Sequence, residues 1–170
     1  MGFKKTSGII SVSNRVESAN GVDFTQLELD LPLDTLNNEI FVVLAIDFAL
    51  SPPDAIAAID TATQCQLSTT TQTQISGLEN SNVLARGENA IQAAAFGAPG
   101  SGVGFSHMSN DTPMSELDYI GIVATPNCYL GVAGTNNTNP KSVAMRMWGY
   151  RAKADAATYA ALVQSEVLSA

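Results

Sequence analysis

The stretch from Phe24 to Leu33 alternates without a slip. Leu27, Leu29, Leu31 and Leu33 fall on one side, and Gln26, Glu28 and Asp30 on the other. Successive side chains of a strand point to opposite faces, so a strict period of two marks a half-buried strand and argues against a helix. Pro32 marks its edge or end, because it lacks the N–H a central strand would donate. One such strand cannot stand alone. It needs neighbours to pair with and a second layer to cover its apolar face.

The rest of the chain supplies candidates. Ile9 to Val16 reads as a first short strand before the turn pair Asn20-Gly21. After Asn37-Asn38, the run from Glu39 to Phe48 is β-branched, aromatic and nearly continuous, as expected of a strand buried on both faces. From Gln64 to Ile75 the residues Cys65, Leu67, Thr69, Thr71, Thr73 and Ile75 share one side of an extended segment. Gln64, Gln66, Ser68, Thr70, Gln72 and Gln74 share the other. Such a ladder forms strands well and is exposed to foreign pairing unless a neighbour covers it. Asn80 to Glu88 reads as loop, Ala90 to Phe96 fits strand or helix, and Gly97 to Gly104 is a glycine-rich connection before Phe105 to Met108. Strands follow at Tyr119 to Ala124, Cys128 to Ala133 and Val143 to Tyr150, with turns at Thr125-Pro126-Asn127 and Asn136 to Pro140.

Two helices are expected. Ser51 suits an N-cap, Pro52 the first helical position and Asp54 the positive end of the dipole, with Ile56 and Ile59 turned inward. The second runs from Ala152 to Leu168, with Ala156, Tyr159, Ala160, Val163 and Val167 at helical spacing. Seven or eight short strands with turns between them indicate an antiparallel two-sheet sandwich or a barrel. At 170 residues, without an internal repeat, the chain is expected to form one domain over residues 1–170.

Composition narrows the function. The formal net charge is −8, which disfavours wrapping nucleic acid over the whole surface, and no strong direct nucleic-acid binding is expected. No apolar run approaches the roughly 20 residues of a membrane-spanning helix, so no transmembrane segment is expected. Only 14% of residues are charged, so few charges need desolvating when the surface packs against copies of itself. Cys65 and Cys128 lie in apparent strands and are expected as buried free thiols rather than a disulfide.

Catalytic equipment is sparse. A serine triad could use only His107, with Ser106 or Ser101 as nucleophile and Asp111 or Asp118 to orient it. Ser106 adjoins His107, and strand neighbours point apart. One histidine and two separated cysteines are too few ligands for zinc, and the oxygens of Asn110, Asp111 and Glu116 to Asp118 are a mild candidate for calcium. Gly100-Ser101-Gly102-Val103-Gly104 lacks the Lys-Ser/Thr of a phosphate loop. No enzyme, cofactor or metal is therefore expected. Arg146, Trp148 and Tyr150 share a strand face next to the basic Arg151, and Tyr159 and Val163 lie on the helix stripe that follows. These six are the candidate subunit contact.

The strand count, the Pro/Asn/Gly-rich loops, the small decorating helix, and the segments Glu39 to Asp47 and Gly149 to Asp155 resemble the single jelly-roll capsid proteins of small icosahedral viruses. The resemblance spans most of the chain and has no signature motif. It implies an all-β jelly-roll sandwich with a loop helix and a C-terminal helix. It also implies a virion location, and partners that are copies of the chain with or without other capsid proteins. One departure stands out: the basic N-terminal arm of many such proteins is reduced here to Lys4 and Lys5. The competing reading is a monomeric β-sandwich that binds carbohydrate or a cell-surface ligand through aromatics such as Tyr119 or Tyr129.

Overall fold

The computed structural model describes residues 2–98, 101–108 and 117–168. In order along the chain these form β1 (Phe3–Lys5), β2 (Ile10–Ser18), β3 (Thr25–Asp30), a 3-10 turn (Thr35–Asn37), β4 (Glu39–Leu50), β5 (Thr61–Ser68) and β6 (Val83–Gln92). They continue with β7 (Val103–Met108), β8 (Gly121–Val123), β9 (Asn127–Thr135), β10 (Lys141–Ala154) and α1 (Ala156–Leu168).

Every strand pairing is antiparallel. In the first sheet β10 lies between β4 and a composite edge, where β2 pairs its first part and β1 its last; β8 flanks β4. The second sheet runs β3-β9-β5-β6-β7. Without β1 and β7, the orders are β2-β10-β4-β8 and β3-β9-β5-β6, so the chain crosses between sheets at most steps. That interleaving is a jelly roll. Between the sheets sits the main core, which includes Phe41, Val43, Leu67, Leu130, Val132, Val143, Met145 and Met147. Leu27 and Leu29 face it as their alternation requires. Cys65 and Cys128 are buried free thiols there, and burial pushes both up to about 12.

Several expectations are corrected. Residues 51–56 are irregular rather than helical, and Ile59 is exposed. Pro53 disfavours helical backbone at Pro52, and Asp54 is pulled into tertiary hydrogen bonds instead. The Thr/Gln ladder stops at Ser68, and the chain after it folds back over the outer face of its own sheet. Gln66 is fully buried under this return, accepting at Oε1 from Ser76 N (2.6 Å) and donating from Nε2 to Gln74 O (3.2 Å). Local pairing thus satisfies the exposed ladder. Val83 to Glu88, expected as loop, is strand and runs on to Gln92, because Ala85 and Gly87 pack inward while Arg86 and Glu88 pair on the other face. Val103 and Gly104 belong to β7 rather than to a loop.

The final helix starts at Ala156, four residues later than expected. Residues 151–154 have good helix propensity but extend β10 instead, with Ala152 opposite Lys5 on one side and Ile40 on the other. Two ladders outweigh local propensity. Asp155 then caps the helix: Thr158 N donates to Oδ1 and Thr158 Oγ1 to Oδ2, each at 2.8 Å. The buried stripe is also rotated. Ala156, Ala160 and Val167 are exposed, whereas Tyr159, Leu162, Val163 and Glu166 face the sheet.

Candidate subunit interface

β10 spans fourteen residues and divides the outer face of its sheet into two halves. Over the later half, α1 covers a second small core of Ile40, Val42, Ala124, Ala152 and Ala154, with Phe3, Tyr150, Tyr159, Leu162 and Val163 against it. Tyr159 Oη donates to Ala124 O at 3.3 Å. Glu166 accepts the N–H groups of Ala124 (2.7 Å) and Thr125 (3.2 Å), two donors that the short β8 leaves unpaired as it ends. Burial raises the Glu166 carboxyl above the usual carboxylate range, and those hydrogen bonds only partly offset it.

Over the earlier half no described helix lies. Ala144, Arg146 and Trp148 of β10 point outward between Ser11, Ser13 and Arg15 of β2 and Ala45, Asp47 and Ala49 of β4. Small residues around one indole leave a shallow concavity of about 460 Å³, lined by Arg15, Asp47, Ala49, Ala144, Arg146 and Trp148 among others. The Arg146 guanidinium lies 6.0 Å from the centre of the Trp148 ring. Asp47 sits opposite Arg146 in register, yet among the described residues Arg146 makes no ion pair. Arg15 is held by Glu17 (3.3 Å) and Ser142 Oγ (3.1 Å).

The two halves meet at a bulge. Trp148 opposes Ala45 while the next residue, Gly149, opposes Val43, so Leu44 is an extra residue on β4. A Cβ at Gly149 would collide with the Val42 carbonyl oxygen and the Phe41 ring.

The six candidate contact residues therefore separate. Arg146 and Trp148 stand together on the open half. Tyr150 has the same strand parity but lies on the covered side, with Lys5 Nζ 4.6 Å above its ring. Arg151 turns toward Glu39 (3.6 Å) and Pro32 O (3.4 Å). Tyr159 and Val163 pack on their own sheet. Of the binding-module aromatics, Tyr119 meets Phe3 edge-on at 6.3 Å, and Tyr129 lies half-buried opposite Glu28.

Ser106 and His107 do not turn toward each other. Ser106 Oγ donates to Asn89 Oδ1 at 2.8 Å, and His107 points to the opposite face, beside Glu88 in register. Asn110, Asp111 and Glu116 lie outside the described residues. Among the described residues no three His, Cys, Asp or Glu side chains gather as a metal site would need. No described helix is long and apolar enough to cross a membrane.

One polar cluster had no local signal. Asp54 accepts from Lys141 Nζ (2.6 Å), Thr138 N (2.8 Å), Asn139 N (2.9 Å), Thr138 Oγ1 (3.0 Å) and Asn139 Nδ2 (3.1 Å). Asn137 Oδ1 accepts from Asp54 N, and its amide group donates to Gly21 O and Ala62 O. Three loops at one end of the sandwich are tied together in this way. Lys141, hydrogen-bonded foremost, holds the Asp54 carboxyl far below the usual range. The partners are more than eighty residues apart in sequence, beyond any motif window.

The strand order places the chain among jelly-roll β-sandwiches. No family model matches it, and no curated protein matches its sequence. Among solved structures it is similar to a chain from Desmodium yellow mottle tymovirus, at 9% identity and a TM-score of 0.31, covering 84% of this chain and 87% of that one. A likeness of that size carries no argument, and the jelly-roll class rests on the strand order.

Proposed function

We propose that the chain is a structural subunit that assembles with copies of itself into a closed viral shell and performs no catalysis. The observation that carries this reading is the open half of the first sheet, where Trp148 and Arg146, without an ion pair among the described residues, stand among alanines and serines with Arg15 and Asp47 beside them. Ala and Ser cost little to desolvate, and Trp and Arg are the residues that most often anchor interface centres. An unpaired guanidinium can meet a carboxylate on an acidic neighbour, and every copy is acidic. Modest contacts of this kind gain strength by symmetric repetition. In this reading the protein resides in the virion, and any genome contact falls to another component or to a local basic patch.

Size-exclusion chromatography with negative-stain imaging tests it. Purified protein is expected to form large closed particles. Trp148→Ala is expected to abolish them while circular dichroism stays unchanged. A 17.8 kDa monomer at every concentration and salt overturns the reading.

A second reading has one observation of its own. Trp148 offers a ring face beside Asn14 and Asp47 in the same concavity, an arrangement that would suit a sugar ring. It requires a monomer that binds glycan in titration and loses binding with Trp148→Ala.

A further inference from the structure

The edges of the two sheets are not equally protected. β3, at one edge of the second sheet, carries Glu28 and Asp30. The composite edge of the first sheet carries Lys4, Lys5, Arg15 and Glu17, and its other edge, β8, is only three residues long. Charges and short strands are the usual guards against unwanted edge pairing. β7 has neither. Its six residues, Val-Gly-Phe-Ser-His-Met, hold no carboxylate, lysine, arginine or proline. Val103 and Phe105 stand 47% and 53% exposed, and among the described residues no strand pairs with its outer side.

We infer that β7 is a homotypic contact: it pairs antiparallel with β7 of a second copy across a twofold axis, joining two five-stranded sheets into one. The unpaired backbone groups of a strand edge select a strand as occupant. Charge selects which strand. A basic partner is drawn to the acidic surface elsewhere on a chain of net charge −8. A second acidic copy approaches most easily where carboxylates are missing, and β7 carries none.

The sequence is compatible with its own reverse. A twofold axis through Phe105, normal to the sheet, keeps outward faces outward. It sets Phe105 beside its counterpart, Val103 of one copy beside His107 of the other, and Gly104 beside Ser106. Aromatic and β-branched neighbours of this kind are favourable cross-strand pairs. A six-residue edge is small beside the roughly 1,000 Å² of a stable stand-alone interface, so the contact counts through repetition. It uses a different face from the Trp148 surface and does not depend on the shell reading.

Cysteine cross-linking tests it, since the native thiols of Cys65 and Cys128 are buried. Under mild oxidation Phe105→Cys is expected to give about tenfold more disulfide-linked dimer than Ser106→Cys, because only facing Cβ atoms within about 4.5 Å can bridge. Phe105→Lys, at an exposed site, is expected to keep its circular dichroism and melting temperature while sedimentation shifts toward monomer. Equal linking by the two cysteine variants or preferential linking at 106 overturns the inference, as does a Phe105→Lys variant that sediments like a self-associating wild type. If Phe105→Cys links while the wild type forms no particles, the edge contact stands and the shell reading fails. Particles whose Phe105→Cys subunits do not link leave the shell reading standing and refute the edge contact.

Discussion

Two halves of one sheet face meet different fates. Over the later residues of β10 the outward positions are Tyr150, Ala152 and Ala154, and α1 closes on them with Tyr159, Leu162 and Val163. Over the earlier residues the outward positions are Ala144, Arg146 and Trp148, and nothing in the described chain covers them. The same strand, with the same alternation, thus makes a core at one end and a surface at the other. Helix length decides which. α1 spans thirteen residues at about 1.5 Å each, roughly 20 Å, and it starts where β10 ends, so it shields only one half.

That contrast can be broken experimentally. The largest expected effect lies at the open end, where Lys141 begins β10 buried against Asp54. Asp54→Asn leaves an ammonium buried without its counter-charge and is expected to cost about 3 kcal/mol in denaturant unfolding. The folded Asp54 pKa is depressed, so its contribution is complete above about pH 4 and is lost as the pH falls further. Acid unfolding of the wild type and the variant should therefore converge. Convergence at high pH instead would contradict the assignment.

Next comes the covered half. Leu162→Ala removes a side chain packed under α1 and is expected to cost about 2 kcal/mol. A change near zero would mean that the helix is docked only loosely.

Glu166 sharpens the contrast through pH. Its folded pKa is raised, so the ionised form is the penalised one: stability is greatest with the carboxyl protonated and declines as pH rises from about 4 through the raised value. Glu166→Gln cannot ionise. The melting temperature of the wild type relative to this variant should fall as the pH rises above about 4, with the Asp54 contribution cancelling in the difference. A flat difference would show that burial of Glu166 does not perturb it.

The smallest stability effect is expected at Trp148. Its alanine variant should change unfolding free energy by under about 1 kcal/mol, because the ring rests on an open face. A loss as large as that of Leu162→Ala would make the open half a core in its own right.

The alternation from Leu27 to Leu33, the two-face burial of Ile40 to Val43 and the final strand were legible because burial imposes its own period on the sequence. The failures have physical causes too. Ser51-Pro52-Pro53-Asp54 has good capping chemistry, but Asn137 to Lys141 claim Asp54 from more than eighty residues away. Ala152 to Ala154 favour helix, yet pairing on both sides holds them extended. Leu162 and Glu166 were missed as inward residues because side-chain type drew the stripe toward Ala156, Ala160 and Val167, whereas docking on the sheet keeps Tyr159 and Val163 and turns the face toward Leu162 and Glu166. Arg146 and Trp148 were singled out by type and spacing as sharing a strand face, and both lie on the outer face of the first sheet. Their separation from Tyr150 follows from where α1 lies, which no local pattern encodes.

The place of β10 and β9 in their sheets has a consequence for how the protein is made. Each is an interior strand, and each comes from the last third of the chain: β9 joins β3 to β5, and β10 joins β2 to β4. While the ribosome is still extending the chain, β2 and β4 have no bridge between them. The pairing of Lys141 with Ser18 waits until more than 140 residues exist. Contacts of such long range make folding slow and leave strand edges bare in the meantime. Copies emerging side by side on one message would therefore meet first as incomplete sheets, and the order of synthesis itself sets when a subunit becomes competent to stay apart from, or join, its neighbours.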